Sequence, residues 1–109
     1  MAKAYKVLGQ ALPNPASYAD LYLVPAGASA VVSTLAVCNT SAANVTFRAA
    51  VRKGGNALTT AQFFAYDVAL PAQDTVGLTL GITMASADVL TVYSFAGNVT
   101  FNLFGAEIT

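Results

Sequence analysis

Apolar and polar residues alternate along most of the chain from about residue 29 onward, and the stretch 44–52 shows the pattern most clearly. One row of alternate positions in this stretch is apolar: Val45, Phe47, Ala49 and Val51. The other row contains Thr46, Ala50, Arg48 and Arg52. A period of two is typical of a β-strand with one buried face. We therefore expect Phe47 to lie in a core and both arginines to lie on the opposite, outer face.

Three further stretches alternate in the same way. The predicted inward rows are Val76, Leu78 and Leu80 in 74–80, and Val99, Phe101 and Leu103 in 98–104. In 62–70 the apolar row is Phe64, Tyr66, Val68 and Leu70, and we expect Asp67 on the opposite face. Turn-forming clusters separate the alternating stretches, among them Asn39-Thr40-Ser41, Gly54-Gly55-Asn56 and Pro71 to Asp74.

The alternation and the turns together predict eight strands, at roughly 4–10, 18–24, 29–38, 44–52, 62–70, 74–81, 88–95 and 98–108. Short strands at this spacing favour an all-β fold, a single-domain antiparallel β-sandwich of about eight strands that resembles a jelly roll. The sandwich domain is predicted over 18–109. Residues 1–17, which contain Pro13 and Pro15, are predicted as an N-terminal arm that pairs with a neighbouring subunit or as an edge strand of the same chain.

The composition indicates that this domain belongs to an assembly and does not stand alone. Of 109 residues, 56% are hydrophobic and only 9% are charged, and the formal net charge is zero. Such a surface lacks the charge that usually keeps a small domain monomeric. We therefore expect a homo-oligomer. Five basic residues are too few for a phosphate-binding surface, and no apolar run reaches the length of a membrane span, so neither nucleic acid nor membrane is an expected partner.

The sequence gives no set of residues suited to catalysis. The chain has no histidine, which removes the commonest general base and metal ligand. Its single cysteine, Cys38, lies late in an apolar strand and is interpreted as a small buried hydrophobic residue. The five acidic residues are scattered, with Asp74 and Asp88 expected in turns. We predict that the protein is not an enzyme and has no catalytic, cofactor-binding or metal-binding residues.

Four residues are candidates for a subunit interface: Arg48, Arg52, Tyr5 and Tyr22. The two arginines share a strand face, where they could hold carboxylates of a partner subunit. The alternative is a solvated face with ion pairs to Asp67 or Glu107 of the same chain. Tyrosine is enriched at interfaces, although the edges of a core use it as well.

Several longer phrases of the sequence carry a resemblance to a known class of protein. They are KVLGQ at 6–10, LYLVPAGASAVVSTLAVCN at 21–39, FRAAVR at 47–52, AYDVALPAQDT at 65–75, LGITMASADVLTVYS at 80–94 and FNLFGAEI at 101–108. The chain resembles small virion structural proteins of tailed bacteriophages, including cyanophages.

The resemblance implies an all-β module that is made in the cytoplasm of the host bacterium, is repeated in the virion and carries no catalytic residues. As a capsid decoration or cement protein it would form a trimer that contacts the major capsid protein. Alternatively, it is a tail, baseplate or fibre component that packs against other tail proteins and binds host surface glycans through exposed tyrosines or phenylalanines. The short chain and its N-terminal segment favour the capsid.

Overall fold

The computed structural model describes residues 2–109, which form eight strands and two short 3-10 helices. The strands are β1 (Lys3–Ala11), β2 (Ala19–Leu23), β3 (Ser29–Asn39), β4 (Val45–Arg52), β5 (Phe63–Leu70), β6 (Thr75–Met84), β7 (Val89–Tyr93) and β8 (Val99–Ile108). The 3-10 helices, Lys53–Gly55 and Thr60–Gln62, lie between β4 and β5. Every predicted strand begins and ends within three residues of an observed one. No helix in residues 2–109 is long and apolar enough to span a membrane.

The strands form two antiparallel sheets in a jelly-roll order. The first sheet has the order β1-β8-β3-β6, and the second has the order β2-β7-β4-β5. The chain therefore folds as one long hairpin, in which β1 pairs with β8, β2 with β7, β3 with β6 and β4 with β5. Successive pairs of this ribbon alternate between the two sheets, which confirms the predicted β-sandwich. In the single chain, β1 pairs with β8 as an edge strand of the first sheet, and pairing of residues 1–17 with a neighbouring subunit stays a prediction.

The core lies between the sheets and contains the predicted inward row of β8 and most of that of β4, whereas the predicted inward row of β6 is only half-buried. Phe47 of β4 and Phe101 of β8 are fully buried and meet edge to face across the sandwich, with ring centroids 6.2 Å apart. Leu35, Leu90 and Leu103 are also fully buried. Edge-to-face contact adds to the area that two aromatic rings bury. The predicted inside and outside of the stretch 44–52 are therefore confirmed for Phe47.

Two register shifts against β4 interrupt the predicted alternation of β5, which departs from the prediction at Tyr66 and at Ala65, a buried residue. Phe47 lies opposite Val68 and Ala49 lies opposite Ala65, so β5 has an extra residue between these two pairs. The extra residue is a bulge, and Asp67 within it has a positive φ of 49°. The bulge turns Tyr66 to the outer face, where 54% of the residue is exposed. The prediction that Tyr66 shares the inner face with Phe64 and Val68 is therefore wrong.

The polar turn Asn39-Thr40-Ser41 has a structural role. Asn39 is fully buried at the end of β3, and its amide nitrogen donates to the carbonyls of Ala43, Leu70 and Pro71 at 2.7–3.2 Å. Its amide oxygen accepts from the backbone N–H and the hydroxyl of Ser41, at 3.0 and 2.7 Å. One side chain thus connects the β3–β4 turn to the end of β5 and satisfies polar groups that lie away from water.

Candidate functional site

The outer face of the second sheet carries a cluster around Arg48, which we call the arginine–aromatic cluster. Its members are Arg48, Asp67, Tyr18, Phe63, Tyr66 and Tyr93. The Arg48 guanidinium donates to both carboxylate oxygens of Asp67, at 2.7 and 3.3 Å, and to the Tyr18 hydroxyl at 2.9 Å. The Arg48 hydrogen bond to the Asp67 carboxylate holds the pKa of that group below its usual range. The bulge in β5 makes this geometry possible because it brings Tyr66 and Asp67 together opposite Arg48.

Aromatic rings pack around the guanidinium of Arg48. The guanidinium carbon lies 4.2 Å from the centroid of the Tyr66 ring and 4.8 Å from that of Tyr93, both within range of a cation–π interaction. Tyr18 stacks on Tyr93 with ring centroids 4.4 Å apart. Phe63 meets Tyr66 edge to face at 5.0 Å. The cluster is a packed aromatic surface with its charge paired inside it.

The Arg52 guanidinium also makes its hydrogen bonds within its own chain. Its guanidinium donates to Asp20 at 3.0 Å, to the Thr91 hydroxyl at 3.0 Å, and to the carbonyls of Gly55 and Asn56. These bonds connect β2, β7 and the segment that follows β4. Of the two interpretations of the arginines, the structure has pairs within the chain, to Asp67 as predicted for Arg48 and to Asp20 for Arg52. Contact between this face and a partner subunit stays a prediction.

Tyr22, a candidate interface residue, lies in the core. Only 8% of the residue is exposed, because β2 has a register shift between Asp20 and Tyr22 that buries Leu21 and Tyr22 in succession. Burial, and then the hydrogen bond that its hydroxyl donates to Glu107 at 2.5 Å, raise the pKa of Tyr22 far above its usual range. Of the two roles left open for the tyrosines, Tyr22 has that of a residue at the edge of the core, and its contact with a partner subunit stays a prediction.

The Glu107 carboxylate accepts hydrogen bonds from two side chains. Besides Tyr22, the Lys6 ammonium donates to Glu107 at 3.1 Å, so that residues of β1, β2 and β8 meet at one carboxylate. The hydrogen bond from Tyr22, followed by that from Lys6, lowers the pKa of Glu107. The carboxylate thus has a structural role in joining the two sheets near the chain ends.

These pairs predict that acid destabilises the fold. The pKa values of Asp67 and Glu107 lie below their ordinary values in the folded chain, so the unfolded chain binds more protons near pH 4. The stabilisation is present above the unfolded-state pKa and is lost as the pH falls through the folded-state pKa. We expect the Tm to fall between pH 7 and about pH 3, measured by circular dichroism. The double variant Asp67→Asn with Glu107→Gln should show a flatter dependence, and an equally steep one would contradict this assignment.

The outer face of the first sheet differs from that of the second because it carries almost no charge. Register places five outward-facing rows across this sheet: Thr100–Cys38–Thr75, Gln10–Asn102–Ala36–Gly77, Val7–Phe104–Thr34–Thr79, Tyr5–Ala106–Val31–Thr83 and, nearest the chain termini, Lys3–Ile108–Ser29. Lys3 is the one charged residue in these rows. We call the surface formed by the first four rows the uncharged face. Most of its side chains are small, which leaves the β3 and β6 side of the face nearly flat.

Tyr5 lies on the uncharged face and is 80% exposed. It borders an open, mostly apolar depression of about 480 Å³, whose lining includes Val7, Val31 and Phe104 and one charged residue, Lys6. Val7 and Val31 are themselves 48% and 39% exposed. Large apolar side chains grouped on a surface mark interaction sites more often than single ones do. Among the four candidate residues, Tyr5 is the one whose position suits contact with a partner.

No three histidine, cysteine or acidic side chains in the described chain are placed to hold a metal ion. Cys38, expected to be buried, is half-buried on the uncharged face, because Val37 and Asn39 on either side of it face inward. Asp88 lies in a turn as expected and accepts from the backbone N–H groups of Gly54 and Ala85.

No known protein family matches this chain, and no curated protein matches its sequence.

Two features of the candidate surfaces were not predicted from the sequence: the arginine–aromatic cluster and the pairing of Arg52 with Asp20. The alternation placed Arg48 on an outer face but gave no sign of Tyr18 and Tyr93, which come from distant parts of the chain. No residue in 21–47 or in 75–87 is charged, and this absence of charge is the sequence signal that anticipates the uncharged face.

Proposed function

We propose that this chain is a non-enzymatic structural protein of a tailed phage virion, which assembles with copies of itself and packs against other virion proteins. Decoration of the capsid is the favoured placement, with the major capsid protein as the partner and a trimer as the assembly. The resemblance of its longer phrases to such virion proteins and the low charge of the chain support this function.

The uncharged face is the observation that carries the proposal. The core of a protein interface is depleted of charged residues, and an uncharged sheet face with exposed Tyr5, Val7 and Val31 has that character. The outer face of the second sheet does carry charges, because Arg48 lies there with the Asp67 carboxylate and Arg52 with that of Asp20. The two outer faces of one small domain therefore differ in the way expected if the first is covered by protein and the second is solvated.

Repetition of a modest contact accounts for how such a subunit would hold to a particle. A standard interface buries on the order of 800 Å² per partner. A subunit that makes two or three smaller contacts at once gains avidity, because each further contact forms within an assembly that already exists. A repeated subunit of this kind needs no catalytic residue and no bound cofactor. Nucleic acid and membrane are not among the proposed partners.

The copy number in the particle tests this function and its placement. Tailed phage particles that encode the chain would be purified and the chain quantified by mass spectrometry against the major capsid protein. Hundreds of copies per particle are expected for capsid decoration, whereas a few or tens would place the chain in the tail, baseplate or fibres. Particles that lack the chain would overturn the proposal.

The arginine–aromatic cluster favours a second candidate, a tail-associated module that binds host surface glycans. Tyr18 and Tyr66 are 43% and 54% exposed beside Asp67, and aromatic rings with neighbouring polar groups form typical ligand-binding surfaces. A glycan array would test this function. Binding that is lost in Tyr66→Ala and kept in Tyr5→Ala, on the opposite face, would support it, and an array without hits would contradict it.

A further inference from the structure

Strand β6 is a long edge strand that carries neither charge nor proline. Each sheet has two edge strands, and three of the four carry charge: β1 has Lys3 and Lys6, β2 has Asp20, and β5 has Asp67 within its bulge. The remaining edge, β6, runs for ten residues with no charged residue and no proline. Charges, prolines and bulges are the usual means by which proteins prevent an edge from pairing with another chain.

The inward row of β6 is incompletely covered. Val76, Leu78, Leu80 and Ile82 pack against the core but are only half-buried, whereas Leu35 and Val37 of the neighbouring strand β3 are fully buried. The alternation of exposed and half-buried positions is unbroken from Thr75 to Thr83. The register of β6 against β3 shifts at Leu80 and Gly81, but the alternation of its side chains continues through this point. The sandwich therefore presents a long strand with unpaired backbone groups on one side and a row of apolar side chains beside it.

The sequence of β6 is nearly symmetric about its centre. Residues 75–83 read TVGLTLGIT, so that Thr79 stands in the middle of a palindrome with one exchange, Val76 for Ile82. In an antiparallel pair of identical strands centred on Thr79, threonine lies opposite threonine, glycine opposite glycine and leucine opposite leucine. The remaining pair is Val76 with Ile82, both β-branched. All pairs therefore match in size and polarity, on both faces of the ribbon.

We propose that β6 pairs antiparallel with β6 of a second copy of this chain, about a two-fold axis at Thr79. The contact would join the two first sheets into one continuous eight-stranded sheet. It would also bring the half-buried rows of the two copies together, with Leu78 opposite Leu80 of the partner subunit. This inference rests on the self-assembly in the proposed function and names one of its contacts.

A second copy suits this edge better than an unrelated segment for two physical reasons. In a two-fold contact each residue meets the same surface of its partner, so a charge near the axis would face its own like charge. The absence of charge from 75–84 removes that repulsion. The palindrome also means that two antiparallel copies of β6 form no mismatched pairs. Pairing with an unrelated segment would not require such symmetry in β6. Combined with a threefold contact elsewhere on the chain, this two-fold contact would link trimers to one another.

Cysteine cross-linking tests the register directly. In a Cys38→Ser background, Thr79→Cys would place two thiols opposite each other, with Cα atoms about 4.5–5.5 Å apart. This separation suits a disulfide, and we expect a covalent dimer after mild oxidation. Thr83→Cys is the matched control on the same strand, because in this register its two copies lie about 27 Å apart. It should not cross-link to itself but should cross-link to a Thr75→Cys chain when the two are mixed.

A charge substitution tests the contact without a disulfide. Thr79→Lys places two ammonium groups at the two-fold axis and should remove this contact, so that native mass spectrometry shows a smaller assembly than for the unmodified chain. Thr60→Lys, exposed in the β4–β5 connection, is the control and should leave the assembly unchanged. An assembled chain that is unaffected by Thr79→Lys and does not cross-link through Thr79→Cys would overturn the β6 contact alone. A monomeric unmodified chain would overturn the proposed self-assembly as well.

Discussion

Replacement of Phe47 by aspartate is expected to abolish folding. Phe47 is fully buried between the sheets, against Phe101. Removal of a buried phenylalanine side chain costs about 3–5 kcal/mol. A buried carboxylate without a partner adds several kcal/mol more. Because small domains are stable by only about 5–15 kcal/mol, we expect Phe47→Asp to be unfolded by far-ultraviolet circular dichroism and by the narrow amide dispersion of its NMR spectrum.

The control for this substitution is a second aspartate on the same pair of strands. Ala69 of β5 is exposed and lies one residue beyond the partner of Phe47, opposite Thr46. Ala69→Asp introduces the same carboxylate on the outer face and should leave the chain folded, with a small change in Tm. If Phe47→Asp folds with a stability similar to that of Ala69→Asp, the assignment of inner and outer faces is reversed.

Replacement of Asn39 by alanine is expected to have the second-largest effect. The substitution removes the amide that donates to Ala43, Leu70 and Pro71 and accepts from Ser41. A buried carbonyl that loses its donor costs about 1–3 kcal/mol. Because Leu70 is itself fully buried, water cannot readily replace the amide there. We expect a loss on the order of 3 kcal/mol in the free energy of unfolding, measured by urea denaturation.

Asn44 provides a matched control for Asn39. It lies on the same β3–β4 turn, is exposed, and accepts one hydrogen bond from the backbone N–H of Ala72 at 3.0 Å. Asn44→Ala should therefore cost no more than about 1 kcal/mol, since water can replace the lost partner. Equal losses for the two variants would show that burial of the Asn39 amide does not stabilise the fold.

The strands could be predicted from the sequence because alternation is a local property. Phe47 and Phe101 were assigned to the core from the residues on either side of them, and both are fully buried. The errors occur where a bulge interrupts the alternation. Tyr66 turns outward at the bulge that contains Asp67. A bulge depends on how two strands pair, so its position cannot be found in one strand alone.

The candidate surfaces were harder to predict because they depend on contacts between distant residues. Arg52 binds Asp20, and Glu107 binds Lys6 and Tyr22. Nothing in the spacing of these residues shows that their strands become neighbours. Low charge over long stretches is visible in the sequence, and this property led to the expectation of an assembled protein. The sequence also contains the palindrome of β6, but its meaning depends on the edge position that the structure gives to this strand.

We propose that the chain is incomplete as a monomer and covers its uncharged surfaces with other chains. The decisive measurement is sedimentation equilibrium of the unmodified protein, purified under native conditions and studied over a wide range of concentration. We expect a mass that is a multiple of the 11.1 kDa of one chain and that persists on dilution. A single species of 11.1 kDa at the highest concentration reached would contradict it.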